Sequence, residues 1–111
     1  YSLSLMRPPG HHAGRGIKGY CYFNNIAIAV MKALDEKKIK KAAIIDIDVH
    51  HGNGTQELFL GDKRVIYFSL HQSPLYPGTG LRAEEKCFLG RRADIYSARP
   101  VGNGEGLARC Q

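Results

Sequence analysis

The chain has 111 residues, 43% hydrophobic and 23% charged, with 16 Lys and Arg against 10 Asp and Glu. That length suits one soluble domain or a piece of one, and excludes a two-domain enzyme. No apolar stretch approaches the roughly 20 residues that cross a bilayer, and residues 1–6 lack the basic start and small-residue cleavage site of a signal peptide. The expected address is cytoplasmic, or nuclear if the source is eukaryotic, with no membrane partner.

Cys21, Cys87 and Cys110 are odd in number and follow no C-x-x-C spacing. They read as reduced thiols, neither a disulfide framework nor a thiolate zinc site. The net charge of +6 is uneven: residues 1–41 hold eight basic and two acidic side chains, 42–81 two and four, and 82–111 six and four. Lys37, Lys38, Lys40 and Lys41 fall where cations complement a helix C-terminus. No aromatic RNA-binding motif or zinc finger accompanies them, so no direct nucleic-acid partner is expected.

In chain order, residues 23–37 predict a helix, because Phe23, Ile26, Ala27, Val30, Met31 and Leu34 recur at three- and four-residue spacing and Asn24–Asn25 offers a cap. Residues 42–49 form a near-continuous apolar run with two acids, the pattern of a strand buried on both faces. After Gly52-Asn53-Gly54, residues 55–60 suit a short helix and 64–70 a second strand parallel to the first. Residues 71–80 read as a loop, placed where ligands sit beyond the carboxyl ends of parallel strands. From Leu81 onward no period is sustained and no comparable strand is predicted. The architecture is α/β, but two strands and one good helix are too few to close a layered sandwich, so the chain reads as an excerpt of one.

Asp46-Ile47-Asp48-Val49-His50-His51 carries the strongest chemical signal. Alternate residues of a strand face one side, which puts Asp46, Asp48 and His50 together. Carboxylate oxygen and imidazole nitrogen suit Zn²⁺ or Fe²⁺, and a catalytic site needs about three such ligands. The competing reading makes the acids strand-end groups that bond loop amides. Two acids among Ile and Val are costly to bury without a cation or strong donors, which favours the metal.

Arg7-Pro8-Pro9-Gly10-His11-His12 sets two imidazoles after an irregular backbone. Beside a metal-bound water they suit proton transfer near neutral pH, although a His-His pair is equally common on a surface. Tyr20 and Tyr76 lie in Gly-rich loops and suit either channel walls or ordinary packing. Cys21 reads as a buried inert thiol, since nothing nearby lowers its pKa.

Together, Arg7-Pro8-Pro9-Gly10-His11-His12, Gly19-Tyr20-Cys21-Tyr22-Phe23-Asn24-Asn25, Asp46-x-Asp48-x-His50-His51-Gly52-Asn53-Gly54-Thr55, and Ser69-Leu70-His71 followed by Tyr76-Pro77-Gly78-Thr79-Gly80 closely resemble the zinc-dependent histone deacetylase family. The resemblance is strongest over residues 7–80, with 81–111 a divergent tail, and matches the middle of a longer domain. It implies a three-layer α/β/α sandwich with a parallel sheet, the arginase/deacetylase-like fold, and a tunnel leading acetylated amines to Zn²⁺.

By motif position, the resemblance implies that Asp48 and His50 are zinc ligands. Asp46, Ser69 and Leu70 would hold a monovalent cation such as K⁺, the last through its carbonyl, together with the carbonyls of Asp48 and His50. Asp46 would also orient His11, and His12 would be the general base and acid. Gly19, Tyr20 and Tyr76 would contact the substrate. Asn53, a neutral amide as in class II-like and prokaryotic members, would support His12, and Gly52, where arginases carry a further carboxylate, implies one metal. Acetyl-lysine proteins and acetylpolyamines are both admitted as substrates. The family's third zinc ligand and its transition-state tyrosine have no match in residues 82–111, so the chain alone is expected to be inactive. The alternative is a non-catalytic remnant that acts as a binding module or weak metal binder.

Overall fold

The structure is a computed structural model that describes residues 7–72 and 74–80 and the strand at 95–98. Helix α1 spans Asn25–Asp35. Strand β1 spans Ala42–Asp46, helix α2 Asn53–Phe59, strand β2 Val65–Leu70 and strand β3 Ile95–Ala98. The three strands form one parallel sheet in the order β1-β2-β3.

Asn24 is the N-cap of α1, its side-chain oxygen accepting from the Ala27 N–H at 3.1 Å, which satisfies a donor that the first helical turn leaves orphaned. Its amide nitrogen donates to the Ala13 carbonyl at 3.0 Å and to Thr55 Oγ1 at 2.9 Å. One buried side chain thus joins the loop after His12, the start of α1 and the first turn of α2. The core is correspondingly compact: Ala27 and Leu34 of α1, Phe59 of α2, and Ile44, Val65 and Tyr67 of the sheet. The apolar stripe of α1 is narrower than its sequence period suggests, for Phe23, Ile26 and Met31 are exposed.

Two sequence expectations need correction. The strand predicted over 42–49 ends at Asp46. The Asp46 carboxylate accepts from the Asp48 N–H at 3.1 Å, and the Asp48 carboxylate from the His50 N–H at 2.9 Å. Side chains that take up backbone donors in this way compete with the ladder and turn the chain out of the sheet. Nor is β1 buried on both faces, because Ile45 is 70% exposed and Ile47, just past the strand, 78%. Both helices contribute to the cluster that holds Ile44 and Tyr67, and among the described residues nothing comparable packs on the opposite face.

The second correction is β3, which pairs in parallel with β2 from Tyr67↔Ile95 to Leu70↔Ala98. Four residues are too few to announce a period, and partner hydrogen bonds define this strand. Cys87, Cys110 and the remainder of the tail lie outside the described residues.

Candidate active site

Beyond the carboxyl end of β1 lies a cavity of about 800 Å³. His11, His12, Asp48 and His50 line it, with Gly19, Tyr20 and Tyr76 in its walls. Tyr20 is 91% exposed, whereas Tyr76 stands edge-on to His12 with ring centroids 4.9 Å apart. Gly19 backs directly onto the His12 ring.

His11 is buried, and its Nδ1 lies 2.8 Å from Asp46 Oδ2. An ionised carboxylate only accepts, so Nδ1–H donates. The Tyr67 hydroxyl donates to the same oxygen at 2.7 Å. Burial pushes the Asp46 carboxyl up, but the hydrogen bonds from His11 and Tyr67 and the His11 charge outweigh it and hold the group below the usual carboxylate range. Burial, with the neighbouring Asp46 charge, drives the Tyr67 phenol far upward, so it stays protonated and keeps donating. Gly52 completes this cluster by having no side chain: a Cβ there would strike the Tyr67 hydroxyl and the Asp46 carboxylate. The space a side chain at position 52 would enter is therefore already taken by the Tyr67 phenol and the Asp46 carboxylate.

His12 makes a matching contact, its Nδ1 2.8 Å from Asn53 Oδ1. With that amide oxygen as acceptor, Nδ1 carries the hydrogen and Nε2 keeps its lone pair. Burial lowers the His12 pKa, and the hydrogen bond to Asn53 only partly offsets this, with His11 and His50 adding repulsion. A neutral imidazole with an acceptor nitrogen on the pocket side is the form a general base needs.

Asp48 Oδ1 and His50 Nδ1 lie 2.9 Å apart. Burial raises the Asp48 carboxyl, but hydrogen bonds from the His50 backbone and ring outweigh it and lower the pKa. Arg7 adds an ion pair at 3.5 Å. Carboxylate oxygen and imidazole nitrogen are the donors zinc takes, and these two atoms converge beside an orphaned one: His11 Nε2 is buried with no hydrogen-bond partner among the described residues, 3.7 Å from Asp48 Oδ1. An unsatisfied buried nitrogen costs about 1–3 kcal/mol, which a group bound in the pocket would recover. The residues present fit two positions of a metal's coordination sphere. Among the described residues no group of three or more His, Cys, Asp or Glu side chains stands ready to hold an ion. The strand-end reading describes the backbone bonds of both acids, and the ligand reading fits the position of Asp48 on the pocket, while Asp46 stands behind it, bonded to His11 and Tyr67.

Asp46 and Ser69 are register partners on β1 and β2, so carboxylate and hydroxyl sit side by side at the strand ends. The Ser69 hydroxyl also lies 2.9 Å from His71 Nδ1, and Leu70 ends β2 beyond it. Sequence reasoning passed over Tyr67. Its available signal was alternation along β2, where Val65, Tyr67 and Ser69 all face inward and the last of them neighbours Asp46.

The Histone deacetylase domain family matches residues 1–107. A probable deacetylase of Archaeoglobus fulgidus is 46% identical over 106 residues, which cover 95% of this chain and 29% of that protein. The chloroplastic histone deacetylase 10 of Oryza sativa subsp. japonica is 42% identical over 109 residues, 97% of this chain and 25% of the relative. The crystal structure of the HDA15 HD domain superposes with a TM-score of 0.71 at 44% identity, covering 86% of this chain and 28% of that one. The chain thus spans between 25% and 29% of the length of these three proteins. With the parallel sheet, the paired imidazoles and the match over nearly all its length, it belongs to the histone deacetylase family.

Proposed function

We propose that the protein bearing these residues hydrolyses acetyl-amide bonds, in acetyl-lysine proteins or acetylpolyamines, at a single Zn²⁺ held in part by Asp48 and His50. The supporting observation is His12: one nitrogen fixed by Asn53, the other left as an acceptor, on a ring whose pKa burial lowers. Zinc, when bound, supplies Lewis acidity toward the acyl carbonyl and its attacking water. His12 Nε2 takes the water proton and passes a proton to the departing amine, and Asn53 holds the ring oriented through both transfers. His11, anchored on Asp46, presents Nε2 to the same water. Tyr20 and Tyr76 flank the acyl stem. Asp46, Ser69 and the carbonyl of Leu70 supply the oxygen donors that a monovalent cation such as K⁺ prefers.

With two zinc donors among the described residues, the 111-residue chain alone is expected to turn over acetyl-lysine only at background rate. That shortage also supports the reading of a binding module that holds metal weakly. In a complete deacetylase domain carrying this segment, His12→Ala is expected to lower kcat/KM on an acetyl-lysine peptide by about 10²- to 10⁴-fold at unchanged zinc content. An undiminished rate would overturn the assignment.

A further inference from the structure

Tyr76 walls the pocket from the loop over residues 71–80, so the pocket's width depends on how that loop is held. Two imidazoles outside the proposed catalytic set hold its ends. His51 is 3% exposed and His71 1%, and their rings pack with centroids 4.7 Å apart. His51 Nδ1 lies 2.8 Å from the Thr79 hydroxyl, and Nε2 lies 2.5 Å from Gln56 Oε1 on α2. An amide oxygen only accepts, so Nε2 carries the hydrogen and Nδ1 accepts from Thr79 Oγ1–H.

The other ring works on both ends of the same loop. His71 Nδ1 meets Ser69 Oγ at 2.9 Å, and its Nε2–H donates to the Gly80 carbonyl at 3.3 Å. Next to it the Gln72 N–H donates to the Val49 carbonyl at 2.9 Å. Gly80 closes against both rings: at φ +78°, a Cβ there would lie 2.6 Å from His71 Nε2 and 2.8 Å from His51 Cγ. His50 lines the pocket and the next residue does not, so consecutive histidines serve the pocket and the loop that walls it.

We propose that His51 is a positioning residue: by accepting the Thr79 hydroxyl it clasps the wall loop to the loop bearing His50, and so sets where Tyr76 stands over His12. This rests on the proposed function only in taking Tyr76 as a wall of the acyl channel. Thr79→Val keeps the side-chain shape and deletes the hydroxyl, while Thr79→Ser keeps the hydroxyl. In the 111-residue chain, amide hydrogen exchange over residues 74–80 should quicken roughly two- to tenfold in the Val variant, the range that one net hydrogen bond spans. Exchange in α1 should stay unchanged. Imidazole ¹H–¹⁵N spectra should show the His51 Nδ1 signal moving and the His12 ring signals shifting as the Tyr76 ring leaves them, and Ser should restore all three readouts. Unchanged loop exchange and His12 signals in the Val variant, a Ser variant that behaves like Val, or loosening that extends to α1 would each overturn the proposal. No substrate or metal enters the measurement, so the deacetylase reading can fail while the clasp stands, and the reverse.

Discussion

The two faces of the β1–β2 pair live in different surroundings, and the one with the more apolar residues is not the one that is packed. Ile44, Val65 and Tyr67 are packed by both helices into one cluster, while Ile45, Ile66 and Leu70 on the other face are exposed. The inner face also ends in polar chemistry, since Asp46 and Ser69 continue the rows of Ile44 and Tyr67. Packing on that face therefore holds the site in place, and hydrophobicity alone does not say which face does so.

The sharpest test of that contrast is a matched pair of truncations. Ile44→Ala is expected to cost about 2–5 kcal/mol of unfolding free energy, lost transfer energy plus a cavity. Ile45→Ala, at an exposed position, should stay within about 0.5 kcal/mol. Urea denaturation of both variants at equal m-value measures the difference, and similar costs would mean that the outer face is covered in solution.

A smaller effect is expected at the junction of the inner face with the site. Gly52→Ala places a methyl group against the Tyr67 hydroxyl and the Asp46 carboxylate, and overpacking of this kind costs about 1–3 kcal/mol. The His11 Nδ1–H signal should move in the imidazole spectrum as its bond to Asp46 is disturbed. An unchanged His11 signal would show that the cluster has slack and that the glycine is not required there.

Asn53→Asp should have the smallest effect on stability and a readable one on pH dependence. In the protein as it stands, burial holds His12 below the ordinary imidazole value. A carboxylate in place of the amide favours the imidazolium, so the His12 pKa rises. The base must be neutral to accept a proton, hence the acidic limb of the pH–rate profile moves to higher pH in the active enzyme. A tenfold change in the proton affinity of the ring corresponds to about 1.4 kcal/mol of differential stabilisation of the imidazolium. NMR titration of the His12 ring checks the change without substrate, and a pKa that falls or stays would disprove the Asn53 contact.

Much of the site was legible because its residues are local. Asp46, Asp48 and His50 fall within five consecutive positions and His11 and His12 are adjacent, so side-chain chemistry marks them without any long-range contact, although the alternation expected to put the first three on one face stops with the strand at Asp46. The α1 and β2 elements were legible for the same reason, since their periods repeat within a few residues and Asn24 has the side chain a cap requires. The strand limit at Asp46 was not, because the two aspartates compete with the ladder for backbone donors. An apolar pattern carries no record of that competition.

What the tertiary structure decided is which distant groups meet. Sequence order by itself determined the chemical types at hand: imidazoles, carboxylates and an amide in segments punctuated by glycine and proline. It left open that Tyr67, 21 residues from Asp46, would donate to its carboxylate, that His51 would reach Thr79 across 28 positions, and that one face of β1 would lie open. Those outcomes depend on strand register and on which side the helices pack. Register shifts the neighbour of every side chain at once, and burial is a property of assembled layers, so neither can be read from a window of the chain.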